Sequence, residues 1–116
     1  MINRAAVILK YREPAVRWIN EADPSNDDAD VVIERANEEA TVYLISDEDA
    51  DDPAAVNRWI ERNYDELFGS ELNSWYTDPE LWPQVRTIQL FRSWFDIECH
   101  TTIVDTVGGE IYDDQE

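Results

Sequence analysis

The residues with the clearest metal-binding character are Asp47 to Asp52, whose sequence DEDADD we call the acidic segment. Carboxylates at alternate positions can bind calcium, but an EF-hand loop also needs Gly at its sixth position and Glu at its twelfth. Counted from Asp47, those positions hold Asp52 and Arg58. We therefore predict a solvated acidic loop without a metal site. Its side chains become candidate contacts for a cationic partner, namely Asp47, Glu48, Asp49, Asp51 and Asp52.

A thiol beside an imidazole can act as a nucleophile and its base, and Cys99 and His100 are the single Cys and the single His of the chain. In a strand over Asp96–Asp105, neighbouring side chains point to opposite faces of the sheet, so these two groups cannot face each other. We predict Cys99 as a small buried residue. His100, on the same face as Glu98, is predicted to be structural or ion-paired.

Carboxylate pairs for acid–base catalysis are a third candidate chemistry, because 27 of the 116 residues are acidic. A catalytic carboxyl needs a desolvated setting that shifts its pKa, and most of these residues lie in polar segments. Asp96 and Glu98 are exceptions because they lie in an aromatic stretch. We nevertheless predict an ion pair with Arg86 or Arg92 for them rather than a catalytic role. We assign no catalytic residue, and a small enzyme using carboxylates between Trp75 and Asp96 stays a secondary hypothesis.

Large aromatic side chains could stack against a ligand or partner. Trp59 and Trp94 fall on the apolar faces of predicted helices and are expected in the core. Trp75, Tyr76 and Trp82 fall in a connection interrupted by prolines, where burial is less required. These three join the acidic segment as candidate partner-binding residues, although packing against the sheet explains them equally well.

The net charge is −18, from 27 acidic and nine basic residues. This charge repels nucleic-acid backbones and anionic membrane surfaces, and the basic residues are scattered, so we expect neither as a direct partner. An apolar fraction of 43% argues for a folded core. The apolar run Ala5–Leu9 is too short for a signal peptide, which makes a cytoplasmic location the default. Three glycines form no phosphate-binding loop, and we predict no cofactor.

The elements that position these residues follow from apolar spacing. The runs Ala5–Leu9 and Thr41–Ile45 predict strands, and continuous hydrophobicity in the first predicts burial on both faces. Asp52 before Pro53 predicts the start of a helix whose apolar residues recur at i, i+3 and i+4 through Phe68. Gly69 is a candidate end of that helix with Ser70 as a new N-cap, so Leu72 and Trp75 are expected either on a continuation or on a second short helix.

The stretch Leu81–Val107 predicts an aromatic helix, capped by Thr87, that leads into a strand. The β-branched residues of Thr101–Val107 suit that strand, and both elements are expected in the core. The fold class is therefore α+β, with a small, mostly three-stranded sheet covered by helices, and antiparallel and mixed strand directions both stay open. We expect one domain over residues 1–112 and a frayed acidic tail over 113–116.

The whole chain resembles a family of short acidic bacterial proteins with no assigned activity. The resemblance rests on residues spread over almost the full length, which are Trp18–Asn20, Ala22–Pro24, Thr41–Ile45, Glu71, Leu72, Trp75, Leu81–Pro83, Trp94–Asp96 and His100. It implies a compact bacterial cytoplasmic protein and gives no catalytic residue.

The leading functional hypothesis is a non-catalytic binding protein whose negative surface engages a basic partner protein, for example by imitating the charge of nucleic acid. The alternative is that the charge serves solubility alone in a domain of unrelated role.

Overall fold

The structure is a computed structural model that describes residues 1–23 and 30–113. Of the predicted tail over 113–116, only Asp113 lies within the described residues. The elements in chain order are β1 (Arg4–Tyr11), α1 (Glu13–Glu21), α2 (Ile33–Ala36), β2 (Val42–Ser46), a 3₁₀ helix (Asp47–Ala50), α3 (Pro53–Trp75), a second 3₁₀ helix (Pro79–Leu81), α4 (Ile88–Trp94) and β3 (Phe95–His100).

The predicted α+β class is confirmed, with one three-stranded sheet in the order β2-β1-β3. Both pairings are antiparallel, so the strand directions are not mixed. The longest strand, β1, lies at the centre and pairs with both neighbours. Its backbone N–H and C=O groups therefore bond to a neighbouring strand at both edges.

The two faces of the sheet differ in what covers them. On one face, alternate residues of β1 such as Val7 and Leu9 belong to the hydrophobic core formed with the helices. The other face, which we call the open face, contains Ala6, Ile8, Lys10, Val42, Leu44, Asp96, Glu98 and His100. Val42 and Leu44 are each 52% exposed. The predicted burial of Ala5–Leu9 is therefore complete except at Ile8, which is half-buried.

Helix α3 begins as predicted, because the Asp52 carboxylate accepts a hydrogen bond from the Ala55 N–H at 2.7 Å. Of the two alternatives after Gly69, the continuation is correct and the end at Gly69 is wrong, since the helix runs without a break to Trp75. A glycine inside a helix costs about 1 kcal/mol relative to alanine. Here the apolar face continues past it, with Phe68 and Leu72 buried on either side. Tertiary packing of this face offsets the local cost.

The aromatic helix α4 is capped by Thr87, whose hydroxyl accepts from the Leu90 N–H at 3.1 Å, as predicted. The strand after it begins earlier than expected, at Phe95, and ends at His100. Residues 101–107 therefore lie outside the sheet, and the prediction that they form a core strand is wrong. The ladder with β1 ends at the pair Ala6–His100, and the backbone bond from the Ile2 N–H to the Ile103 carbonyl at 2.8 Å lies beyond the strand.

An aromatic cluster joins α3, α4 and β3. The Phe68 ring lies 5.6 Å from Phe91, 5.3 Å from Trp94 and 5.7 Å from Phe95, measured between ring centroids. All four side chains are buried, so the predicted core position of Trp94 is confirmed. Trp59 is only half-buried and packs at the edge of the core. None of the helices within residues 1–23 and 30–113 is both long enough and apolar enough to cross a membrane.

Candidate functional site

The acidic segment is not an irregular loop, as the sequence predicted, but folds into a 3₁₀ helix over its first four residues. The Ser46 hydroxyl caps this helix by accepting a hydrogen bond from the Glu48 N–H at 3.2 Å. Ala50 is buried and anchors the segment to the core. Its carboxylates are therefore held on an ordered element that directly follows β2.

The five candidate carboxylates of the acidic segment have different surroundings. Asp52 caps α3, and Asp49 forms an ion pair with Arg62 of α3 at 3.2 Å. Asp47, Glu48 and Asp51 are exposed, and the structure gives them no ion pair within residues 1–23 and 30–113. Within the same residues, no group of three or more His, Cys, Asp or Glu side chains is arranged to hold a metal ion.

The three candidate aromatic residues are half-buried, and their polar atoms bond within the protein. The Trp75 indole N–H donates to the Tyr11 hydroxyl at 2.8 Å, and the Trp82 indole N–H donates to the Tyr76 carbonyl at 2.7 Å. The Tyr76 hydroxyl donates to the Ile19 carbonyl of α1. These bonds attach the connection after α3 to the rest of the fold.

The structure does not bring the acidic and the aromatic candidates together. The acidic segment precedes α3 and Trp75 ends it, and α3 contains 23 residues. At about 1.5 Å per residue, the helix separates the two groups by about 34 Å. The eight predicted residues therefore do not form one continuous surface.

Asp96 and Glu98 are exposed on the open face rather than desolvated, and their predicted partners are wrong. Asp96 lies 3.9 Å from the Arg12 guanidinium, and Glu98 bonds to the His100 ring at 3.0 Å. Arg86 pairs instead with Asp65 at 3.7 Å. The hydrogen bond from His100 lowers the pKa of Glu98.

The predicted separation of the thiol and the imidazole is confirmed. Cys99 packs half-buried on the core side of β3, where burial raises the pKa of its thiol, and His100 is exposed on the open face with Glu98. The carboxylates between Trp75 and Asp96, which are Asp78, Glu80 and Asp96 itself, are all exposed. Burial therefore gives none of them the setting that acid–base catalysis requires.

The residue that the sequence reasoning missed is Glu71, the one charged side chain that is buried in the described part of the chain, at 6% exposure. One of its carboxylate oxygens accepts a hydrogen bond from the Tyr11 hydroxyl of β1 at 2.8 Å. The other oxygen accepts from the Tyr43 hydroxyl of β2. Because Trp75 donates in turn to Tyr11, the network joins α3 to two strands.

A sequence signal for Glu71 was present. Leu67, Phe68, Glu71, Leu72 and Trp75 follow i, i+1, i+4, i+5 and i+8 spacing, so the apolar face of α3 contains one carboxylate. A charged residue on an apolar helix face is rarely buried unless it is paired. The sequence alone does not show which side chains donate to it.

The electrostatics of this network keep both phenols protonated. Burial, followed by the negative charge of Glu71, raises the pKa of Tyr11 far above its ordinary value. Burial and the hydrogen bond to Glu71 raise the pKa of Tyr43 in the same direction. Both hydroxyls therefore remain donors to Glu71, and no Lys, Arg or His of the described chain forms an ion pair with this carboxylate.

Glu71 also lines a cavity of about 850 Å³, which we call the Glu71 cavity. Tyr11, Ser74 and Trp75 also line it, and the segment 30–41 supplies the rest of the lining. Ligand sites for small molecules fall in the same range of volume, about 300–1,000 Å³. Of the predicted partner-binding residues, the cavity includes only Trp75.

Comparison of the chain with models of protein families, with curated proteins and with solved structures found no match. The resemblance to short acidic bacterial proteins therefore stays a prediction.

Proposed function

We propose that this chain is a non-catalytic binding protein that engages a basic partner protein through its negative surface. The observation that carries the proposal is the excess of 27 acidic over nine basic residues, combined with an acidic segment on an ordered element. Asp47, Glu48 and Asp51 are exposed there without an ion pair in the described chain. Such fields speed the encounter with cationic surfaces and select against anionic ones.

The open face gives the proposal an apolar component. Val42 and Leu44 of β2 are exposed there, while Asp96 and Glu98 lie on the same face of β3. On this face Ile8 and Lys10 of β1 lie between the two groups, so a partner would meet apolar side chains on one edge strand and carboxylates on the other. The acidic segment follows β2 directly and adds exposed carboxylates beyond the end of that strand.

One form of this proposal is imitation of nucleic acid, in which carboxylates take the place of phosphates in the site of a DNA-binding protein. Double-stranded DNA would then compete with the chain for its partner. We propose a cytoplasmic location, where such a partner would be accessible.

The test is capture from a bacterial extract at low and at moderate salt by the immobilised protein, with two charge-matched variants. The first variant is Asp47→Asn/Glu48→Gln/Asp51→Asn in the acidic segment. The control is Glu61→Gln/Glu66→Gln/Glu110→Gln, which removes the same charge at other exposed positions.

We expect salt-sensitive capture of a basic protein that the first variant loses and the control retains. Release of that protein by added DNA would support imitation of nucleic acid. Equal loss in both variants would contradict the acidic segment as the contact, and no capture at low salt would contradict the proposal as a whole and favour a charge that serves solubility.

A further inference from the structure

We infer that the Glu71 cavity is a binding site for an organic cation, whose ammonium or guanidinium group pairs with the Glu71 carboxylate. This inference stands independently of the proposed basic protein partner. It rests on the burial of Glu71, on the aromatic side chains of the cavity wall and on the charge of the cavity lining.

The first argument is the buried charge. A carboxylate removed from water needs hydrogen bonds and an opposite charge to offset its desolvation. Glu71 accepts one hydrogen bond from Tyr11 and one from Tyr43, and it has no cationic partner in the described chain. Because a carboxylate offers about four acceptor sites, it retains the capacity to accept from a ligand. A charged donor would form the stronger, charge-assisted kind of hydrogen bond.

The second argument is the aromatic wall. Tyr11 and Trp75 both line the cavity beside Glu71, with ring centroids 6.1 Å apart and planes tilted by 58°. A cation positioned over an aromatic face within about 6 Å is attracted to the ring. A carboxylate next to two rings is therefore suited to a cation on an apolar stem, such as an alkylamine or an alkylguanidine.

The third argument is the charge of the cavity lining. Four acidic residues line it, Asp30, Glu38, Glu39 and Glu71, against the single basic residue Arg35. Arg35 already lies 3.6 Å from the Glu38 carboxylate. The lining therefore favours cations over anions as they approach.

The site can be tested by isothermal titration calorimetry and by NMR of the Trp75 indole N–H signal. The cationic probes are 1,4-diaminobutane, which represents a free amine, and N-acetyl-lysine methylamide and N-acetyl-arginine methylamide, which represent side chains of a bound protein. The neutral control is N-acetyl-norleucine methylamide, which matches the lysine stem without its charge.

We expect a cationic probe to bind the wild-type protein and to move the Trp75 signal, while the neutral control does neither. Glu71→Gln should weaken binding about tenfold or more, because a charge-assisted hydrogen bond is lost. Glu66→Gln, an exposed position on the same helix, should leave binding unchanged. Binding of the diamine would identify a free metabolite as the source of the cation, and binding of the blocked amino acids alone would identify a protein side chain.

The inference is overturned if no cationic probe moves the wild-type Trp75 signal at millimolar concentration, which requires no variant to fold. It is also overturned if folded Glu71→Gln binds as tightly as the wild type. Neither result bears on capture of a basic protein by the acidic segment.

Discussion

Two acidic regions of this molecule differ in how far the fold exposes their carboxylates to water. The acidic segment concentrates five carboxylates at one end of α3, and most of them are exposed to water. Glu71, near the other end of α3, is a single carboxylate enclosed by two tyrosines. The chain has 27 acidic residues. The acidic segment differs from the others in the number and crowding of its carboxylates, whereas Glu71 differs from them in its burial.

This difference in exposure determines how strongly the carboxylates of each region interact with neighbouring groups. Water and salt screen the charges of the acidic segment, so each side chain there contributes little to stability. Glu71 lies in a medium of lower polarity, where hydrogen bonds are stronger and unpaired groups cost more. One buried acid should matter more to folding than several exposed ones.

The largest expected effect is at Glu71 itself. Glu71→Ala should lower the free energy of unfolding by about 3 kcal/mol, since hydrogen bonds to a charged group contribute about 1.5–3 kcal/mol each. Glu66→Ala, exposed on the same helix, should change it by less than about 0.5 kcal/mol. Urea unfolding followed by circular dichroism at pH 7 measures both. Equal effects of the two variants would remove the distinction between buried and exposed acids.

The next largest effect is a loss of stability at alkaline pH. The pKa values of Tyr11 and Tyr43 are raised in the folded protein, whereas tyrosines of the unfolded chain titrate near about pH 10. Above that pH the unfolded chain releases protons that the folded protein retains, so stability present below pH 10 is lost as the pH rises.

Urea midpoints between about pH 8 and 11 measure this loss, around the tyrosine pKa of about 10. Tyr11→Phe/Tyr43→Phe should be less stable than the wild type at pH 8 but should lose less stability as the pH rises. Tyr112→Phe, at an exposed position, should follow the wild-type curve. A double variant that loses stability as steeply as the wild type would show that these phenols do not cause the alkaline sensitivity.

A smaller difference in stability is expected between substitutions of two neighbours in the acidic segment, Asp51 and Asp52. Asp52→Ala removes the cap of α3 and should lower the free energy of unfolding by about 1 kcal/mol. Asp51→Ala removes an exposed carboxylate and should change stability by less than about 0.5 kcal/mol. Thermal unfolding of the two variants provides the measurement. If Asp51→Ala were the more destabilising, the assignment of the cap to Asp52 would be incorrect.

The smallest effect per side chain is electrostatic repulsion among the exposed acids. The Debye length falls from about 30 Å at 0.01 M salt to about 3 Å at 1 M, so added sodium chloride should raise the melting temperature at pH 7. Salt also screens the ion pairs, but nine cations cannot neutralise 27 anions. The variant Asp47→Asn/Glu48→Gln/Asp51→Asn should show a smaller rise. A melting temperature that is flat or falls with salt would mean that the negative charge is locally compensated.

Signals that depend on a few neighbouring residues were readable from the sequence. The strands near Ala5–Leu9 and Thr41–Ile45 have the predicted position, because apolar β-branched runs favour a pleated conformation whatever their partner. The helix starts at Asp52 and Thr87 are correct for the same reason, since a cap bonds to a backbone N–H only three residues away. For the Glu71 cavity, the sequence predicted Trp75 as a contact residue but did not predict Glu71, and the binding role of the acidic segment stays a prediction.

Interactions between residues that are far apart in the sequence became visible only in the tertiary structure. Packing of Phe68 and Leu72 continues α3 through Gly69, and the pairing of β3 with β1 ends at His100, which leaves residues 101–107 outside the sheet. Glu71 meets Tyr11 across 60 residues and Tyr43 across 28. Both bonds require β1 and β2 to pair antiparallel and α3 to pack on their covered face. Local propensity carries no information on that arrangement, because the arrangement depends on which buried surfaces fit together.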